Sequence, residues 1–350
     1  MKITINRYSN KNMFQLTRYL YEKEEVEYSL VISLLKKKES ALFWAFELYH
    51  SGFKEELKQI IWKIYYFYYA ALNRTLEAYL FTKLKNMNEE IIPYIIHNLL
   101  VRKWSYDIHL AANQKQKKGN IKNLLQKKNY KQLITLLIDV YEPSYLDEIC
   151  LHFGKNIEIE RKKFEKSLKM NSISPNTKLI VYMLHYYAVS NKIPIGRNLL
   201  LQLEDNIELD YNTIECDLTP RGGDKFPLLS KRPSRMILSE GRKEMIETDI
   251  SLFPLKRNVS CIKNALFYRW EYYAYNTPIW KERFDKYKIK ENHEQKRIEF
   301  IDDDEMEDFY NHYGYEPDEQ SNEILDKSIG VLSNKKDIEL YNNCKLIMGC

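Results

Sequence analysis

At 350 residues with 44% hydrophobic residues, the chain is long enough to enclose one large core or two ordinary ones. Only 10 glycines and 10 prolines, against 28 tyrosines, exclude a turn-rich β fold and favour helices. A net charge of +5 is too mild to mark a polyanion binder unaided, and five scattered cysteines exclude a disulfide framework and suit a reduced compartment.

The N-terminal MKITINRYSNKNMF lacks the apolar stretch of a secretory signal. The longest apolar run, Ile60 to Leu72, is interrupted by Lys63 and is too short to span a bilayer. The expectation is a soluble, cytoplasmic protein with no membrane partner.

From about residue 12 to 203 the pattern is helix after helix with short connectors. Val26 to Lys37 carries Tyr28, Leu30, Val31, Leu34 and Leu35 and closes on Lys36, Lys37 and Lys38, cations suited to a helix C-terminus. Ala41 to Tyr49 is apolar nearly all round, and Ser51-Gly52 hinges it to a second helix with Leu57, Ile60, Ile61, Ile64, Phe67, Tyr68 and Ala71 in one stripe. Phe43, Trp44, Phe46, Ile61, Ile64 and Phe67 are expected in the core, with some of Tyr65, Tyr66 and Tyr69 left exposed. Thr75 to Met87 follows, then Asn88 to Trp104 with an Asn cap and Pro93 near its start. Tyr130 to Tyr141, Asp147 to Phe153, Ile159 to Met170 and Thr177 to Asn191 complete the series. This is a mainly α fold of stacked helical hairpins, solenoid-like or an irregular bundle, with no regular repeat period.

Residues 204–260 change texture. DNIELDYNTIECDL alternates like a strand or hairpin, and the following Pro- and Gly-containing basic stretch reads as a loop or linker. Residues 261–350 begin with an aromatic helix from Cys261 to Tyr287 and continue into an acidic, partly mobile tail. Three regions result: a helical-hairpin domain at 1–203, the basic linker at 204–260, and the mixed, loop-rich region at 261–350.

No catalytic constellation emerges. There is no G-x-S-x-G elbow and no G-x-G-x-x-G, and Arg221-Gly222-Gly223-Asp224-Lys225 lacks Walker spacing. Cys150 and His152 lack the second close pair that zinc requires, while His97, His109 and His185 stand alone. Asp302, Asp304 and Glu307 could ligate a hard cation, but the spacing is not an EF-hand loop, and a solvated acidic segment or a negative surface for a basic partner is the favoured reading. Neither a cofactor nor a metal is therefore expected.

Two kinds of surface carry more information. Arg102, Lys103, Lys115, Lys117, Lys118, Lys122, Lys127, Lys128 and Lys131, interleaved with Trp104, Tyr106 and Tyr130, have the mixture of cations and stacking faces that a nucleic-acid backbone needs. Lys225, Lys231, Arg232, Arg235, Arg242 and Lys243 form a second basic stretch. Trp270, Tyr272, Tyr273 and Trp280, followed by Asp302, Asp303, Asp304 and Glu305, suit a protein-binding face, since Tyr and Trp anchor interfaces.

ESALFWAFELYHSGF (39–53), EYYAYNTPIWKERF (271–284) and YGYEPDEQ (313–320) resemble segments of an uncharacterised protein family of giant nucleocytoplasmic large DNA viruses. The resemblance implies a viral setting, in the host cytoplasm or a virus factory, and carries no activity with it. The reading favoured at this level is a non-enzymatic helical adaptor or scaffold that binds protein partners. The alternative is an RNA- or DNA-binding factor in viral gene expression using residues 101–131 and 225–243.

Overall fold

The computed structural model describes residues 15–18, 23–35, 37, 40–105, 119–196 and 269–313. Within them the chain is mainly helical: α1 (Lys23–Leu35), α2 (Ser40–His50), α3 (Lys54–Ile64), α4 (Leu76–Lys85), α5 (Ile91–Leu100), α6 (Ile121–Gln126), α7 (Tyr130–Asp139), α8 (Ser144–His152), α9 (Ile157–Leu168) and α10 (Pro175–Ser190) build the body. A smaller unit follows with α11 (Trp270–Tyr275), α12 (Pro278–Phe284), the hairpin β1 (Ile289–Asn292) and β2 (Arg297–Phe300), and α13 (Asp303–Tyr313). The alternating stretch at 205–218 and the basic stretch at 225–243 lie outside the described residues.

Helices pair mostly with their chain neighbours, as α1 with α2 and α8 with α9, but α2 also packs on α5 and α7 on α10. These longer pairings make an irregular stack of hairpins. Their starts follow from short polar side chains. Asn120, Asn129, Asn156 and Ser174 each accept a backbone N–H from the first turn of α6, α7, α9 and α10. Asn88 likewise accepts from Ile91 N at 3.1 Å, where α5 begins, and Pro93 is absorbed in the first turn.

The stripe expected from Leu57 onward is buried at Tyr68 and Ala71 too, with Phe67 partly so, but the α-helical winding it assumes ends at Ile64. Residues Tyr65–Tyr69 form a π turn, in which Ala70 N donates to Tyr65 O at 2.7 Å. The wider turn carries more residues per revolution than an α-helix, so the 3.6-residue spacing no longer sorts inside from outside. Tyr65, Tyr66, Tyr68 and Tyr69 are all buried, while Phe67 and Phe43 are only partly so. The expectation that some of Tyr65, Tyr66 and Tyr69 stay exposed is thereby corrected.

The C-terminal unit is built around packed rings, some stacked and some edge to face. Phe284 and Phe309 lie 4.4 Å apart and Trp270 and Trp280 5.1 Å apart. The single long helix expected over 261–287 is divided, because Pro278 opens a new helix after Thr277. The acidic stretch, expected as a loose tail, is helical through Tyr313. Asp302 starts α13 by accepting Asp304 N on its carboxylate at 2.8 Å, and the acids that follow lie at the positive end of the helix dipole.

Residues 15–18 join this unit to the body. Thr277 donates its hydroxyl to Leu16 O, Trp280 Nε1 to Thr17 O at 2.9 Å, and Arg18 N to Ser51 Oγ at 2.9 Å. Arg18 also pairs with Glu47 at 2.7 Å, both side chains being fully buried. Gly52 stands at this junction with φ +91°, and a Cβ there would lie 2.5 Å from Pro278 Cβ. Gly154 is also left-handed, at φ +62°, but has open space around it. Gly52→Ala is expected to cost about 2–4 kcal/mol in denaturant unfolding, from backbone strain plus overpacking, against about 1 kcal/mol for Gly154→Ala.

Candidate functional site

Among the described residues, a collection of buried polar groups surrounds the π turn. Tyr66 donates its hydroxyl to Glu77 and lies 3.3 Å from Ser167 Oγ, and Asn171 Nδ2 donates to it at 3.2 Å. Lys178, fully buried on α10, donates to Ser167 O at 2.6 Å and to Asn171 O, closing the C-terminal end of α9. A second knot joins Arg74 to Glu160 at 2.7 Å. Glu160 also accepts from Tyr186 at 2.6 Å and Lys163 at 2.7 Å, and the Arg74 guanidinium lies 3.6 Å from the Tyr182 ring centre.

These groups neutralise one another. Burial pushes Glu160 up, but hydrogen bonds from Lys163, Tyr186 and Arg74 override it and bring the carboxyl to about 2. Burial lowers Lys178 to about 8, opposed by Glu77. Among the described residues, no group of three or more His, Cys, Asp or Glu could hold a metal ion. The arrangement is a set of crosslinks between helices.

The residues singled out in the sequence divide sharply. Arg102 is buried, and Trp104 is partly so, its indole N–H donating to Leu35 O at 2.9 Å. Lys37 donates to the Leu100 and Arg102 carbonyls, and Asn73 Nδ2 to Lys103 O at 2.8 Å. This connector is pinned into the body, so Arg102 and Trp104 are corrected from surface contacts to packing residues, with Lys103 alone of the three exposed. Trp270 (0% exposed) and Trp280 (3%) are corrected in the same way, since they form the inside of the C-terminal unit. Tyr272 and Tyr273 are half-buried, the former with its hydroxyl 3.2 Å from His293 Nδ1. Asp302, Asp303 and Asp304 are exposed, and Glu305 binds Lys288 through its backbone N–H at 2.7 Å and its ammonium at 3.2 Å. Lys115, Lys117, Lys118, Lys231, Arg232, Arg235, Arg242 and Lys243 lie outside the described residues.

What remains of the basic stretch is gathered at one end of the body. The α6 helix buries Ile121, Leu124 and Leu125 and stops at Lys128, which takes a left-handed φ of 54°; Asn129 then caps α7. Lys127, Lys128 and Lys131 are exposed around this turn. Lys122 is also exposed and pairs with Glu148 at 3.1 Å. Because α7 packs along α10, the start of α7 meets the end of α10: Tyr130 and Tyr187 ring centres are 4.6 Å apart. The end of α8 arrives there too, with Tyr130 Oη 3.2 Å from His152 Nε2. Lys192, exposed and left-handed at φ 54°, follows the end of α10, and Lys155 lies 5.5 Å from the Tyr186 ring centre. The cations register on their neighbours. Burial lowers the His152 pKa and the charge of Lys128 lowers it further; burial, Arg74 and Lys155 do the same to His185, against an opposing hydrogen bond to Ala71 O and the Glu160 charge.

The sequence missed α6 and the contributions of Lys155, Lys192, His152, Phe153 and Tyr187 to this end. No protein-family model matches the chain, and neither a curated protein nor a solved structure matches it.

The buried charges have opposite pH signatures. The unfolded chain holds the Lys178 proton more tightly between about 8 and the ordinary 10.5, so that lysine adds stability as pH rises through this window. The unfolding free energy of the wild type, relative to Lys178→Met, should therefore rise between pH 8 and 9.5. Glu160 contributes above its ordinary 4.5 and loses that contribution as pH falls towards 2. Glu160→Gln should accordingly flatten the acid limb of the stability profile.

Proposed function

We propose that the protein is an α-helical scaffold that binds nucleic acid through the basic end formed by the start of α7 and the ends of α8 and α10. The observation that carries this reading is the convergence there of Lys127, Lys128, Lys131, Lys155 and Lys192 from three separate parts of the chain. Two nearby acids are already engaged: Glu148 with Lys122, and Glu160 with Arg74, Lys163 and Tyr186. Glu158, exposed in the first turn of α9, offsets only part of the remaining charge. Phosphates attracted to such a surface release condensed counterions, so binding should weaken steeply with salt. The resemblance of three segments to a giant-virus family fits a place in viral gene expression.

The test is titration of a labelled generic oligonucleotide at about 50 and 200 mM salt. Wild type should bind with a steep negative log–log slope, and Lys127→Glu/Lys128→Glu should flatten the slope by about two and weaken all sequences alike. No retention at the lower salt sinks the reading.

A second reading, a protein adaptor, has its own observation: Asp302, Asp303 and Asp304 are exposed at the start of α13. A basic protein partner would be steered to them. Partners captured from producing cells should be lost with Asp303→Lys/Asp304→Lys and retained with the lysine variant. Capture unaffected by the aspartate changes counts against it.

A further inference from the structure

We infer that the nucleic acid accepted by this basic end is single-stranded, with its phosphates on the lysines and its bases stacked on the rings among them. The inference rests on the nucleic-acid reading above and deepens it. Four half-buried rings stand among the cations: Tyr130, His152, Phe153 and Tyr187. Tyr130 is their centre, 4.6 Å from Tyr187, 6.1 Å from Phe153 at 23° between planes, and hydrogen-bonded to His152. Phe153 and His152 meet edge to face at 4.7 Å. The rim rings are thus held in fixed orientations by packing, which lowers the entropy lost when a base stacks on them. Burial and Lys128 favour the neutral form of His152, as suits a ring among cations.

The mounting of the lysines argues against a duplex. A major-groove reader needs a helix with a free, cation-bearing side to lay in the groove. The cations of this basic end are not mounted that way: α6 has only six residues, and α9, which does expose Arg161, Lys162, Lys163 and Lys166 along one side, exposes Glu158 and Glu165 among them. Lys127, Lys128, Lys155 and Lys192 sit on turns and helix ends, around the aromatic group rather than along a helix face. A strand with splayed bases meets both features at once, while a duplex presents phosphates only and leaves the rings unused.

Fluorescence anisotropy of the full chain with oligo-dT and oligo-U of about 20 nucleotides, a duplex of equal length, and heparin as competitor tests this. The single strands should bind about tenfold more tightly than the duplex. His152→Ala and Tyr187→Leu should each remove most of that preference while leaving duplex affinity and the salt slope unchanged, with thermal melts reporting whether each variant folds. Equal affinity for single strand, duplex and heparin overturns the inference while the nucleic-acid reading stands, as does a preference that survives both ring variants. Failure to bind any of them at low salt overturns the nucleic-acid reading itself.

Discussion

The structure depends on the hydrogen bonds that the buried tyrosines of the π turn require. A phenol taken out of water without a partner forfeits about 1–3 kcal/mol of what its ring gains, so each buried hydroxyl selects what may pack beside it. Tyr65 reaches the Asn73 and Arg74 carbonyls, Tyr66 reaches Glu77 with Ser167 and Asn171 nearby, and Tyr69 reaches Leu34 O. The end of α1, the entry to α4 and the α9–α10 connection are all fixed by partners of this one turn. A π turn is a costly way to wind a helix. In this one Tyr65, Tyr66 and Tyr69 point inward and each finds an acceptor.

The same economy of partners shapes the surface. Glu160 is enclosed by three donors and Lys178 by two carbonyls, so the interior holds its charges in closed sets. Closed sets inside leave the surface to determine the external field. At the basic end Lys127 and Lys128 stand exposed on the turn between α6 and the Asn129 cap of α7.

Helix existence was legible because caps, stripes and stops are local. Asn88 and Gly52 mark their boundaries in the sequence, and the structure places helix ends beside them. What lay beyond reach was pairing. Nothing in the spacing of Leu133, Ile134 and Leu137 says that α7 lies along α10, and it is that pairing which brings Lys192 and Tyr187 to Lys128 and Tyr130. The π turn misled for a related reason, since a change of helical pitch alters which residues face inward without changing their types. Trp270 and Trp280 misled because the same amphipathic rings serve cores and interfaces, and only the arrival of Phe309 on α13 decides between them.

The contact between Trp280 and Thr17 spans 263 residues. A ribosome adding about 5–20 residues per second leaves residues 15–18 waiting roughly 13–50 s for the helix that covers them. During that interval the Ser51–Gly52 corner also lacks its cover, while the α1–α2 hairpin beside it already has both its helices. The early chain must therefore be kept from pairing with the wrong neighbour, and the α-helical body, whose contacts are mostly local, can fold first and hold the vacant seat open. The junction at Gly52 can close only after α12 has been synthesised.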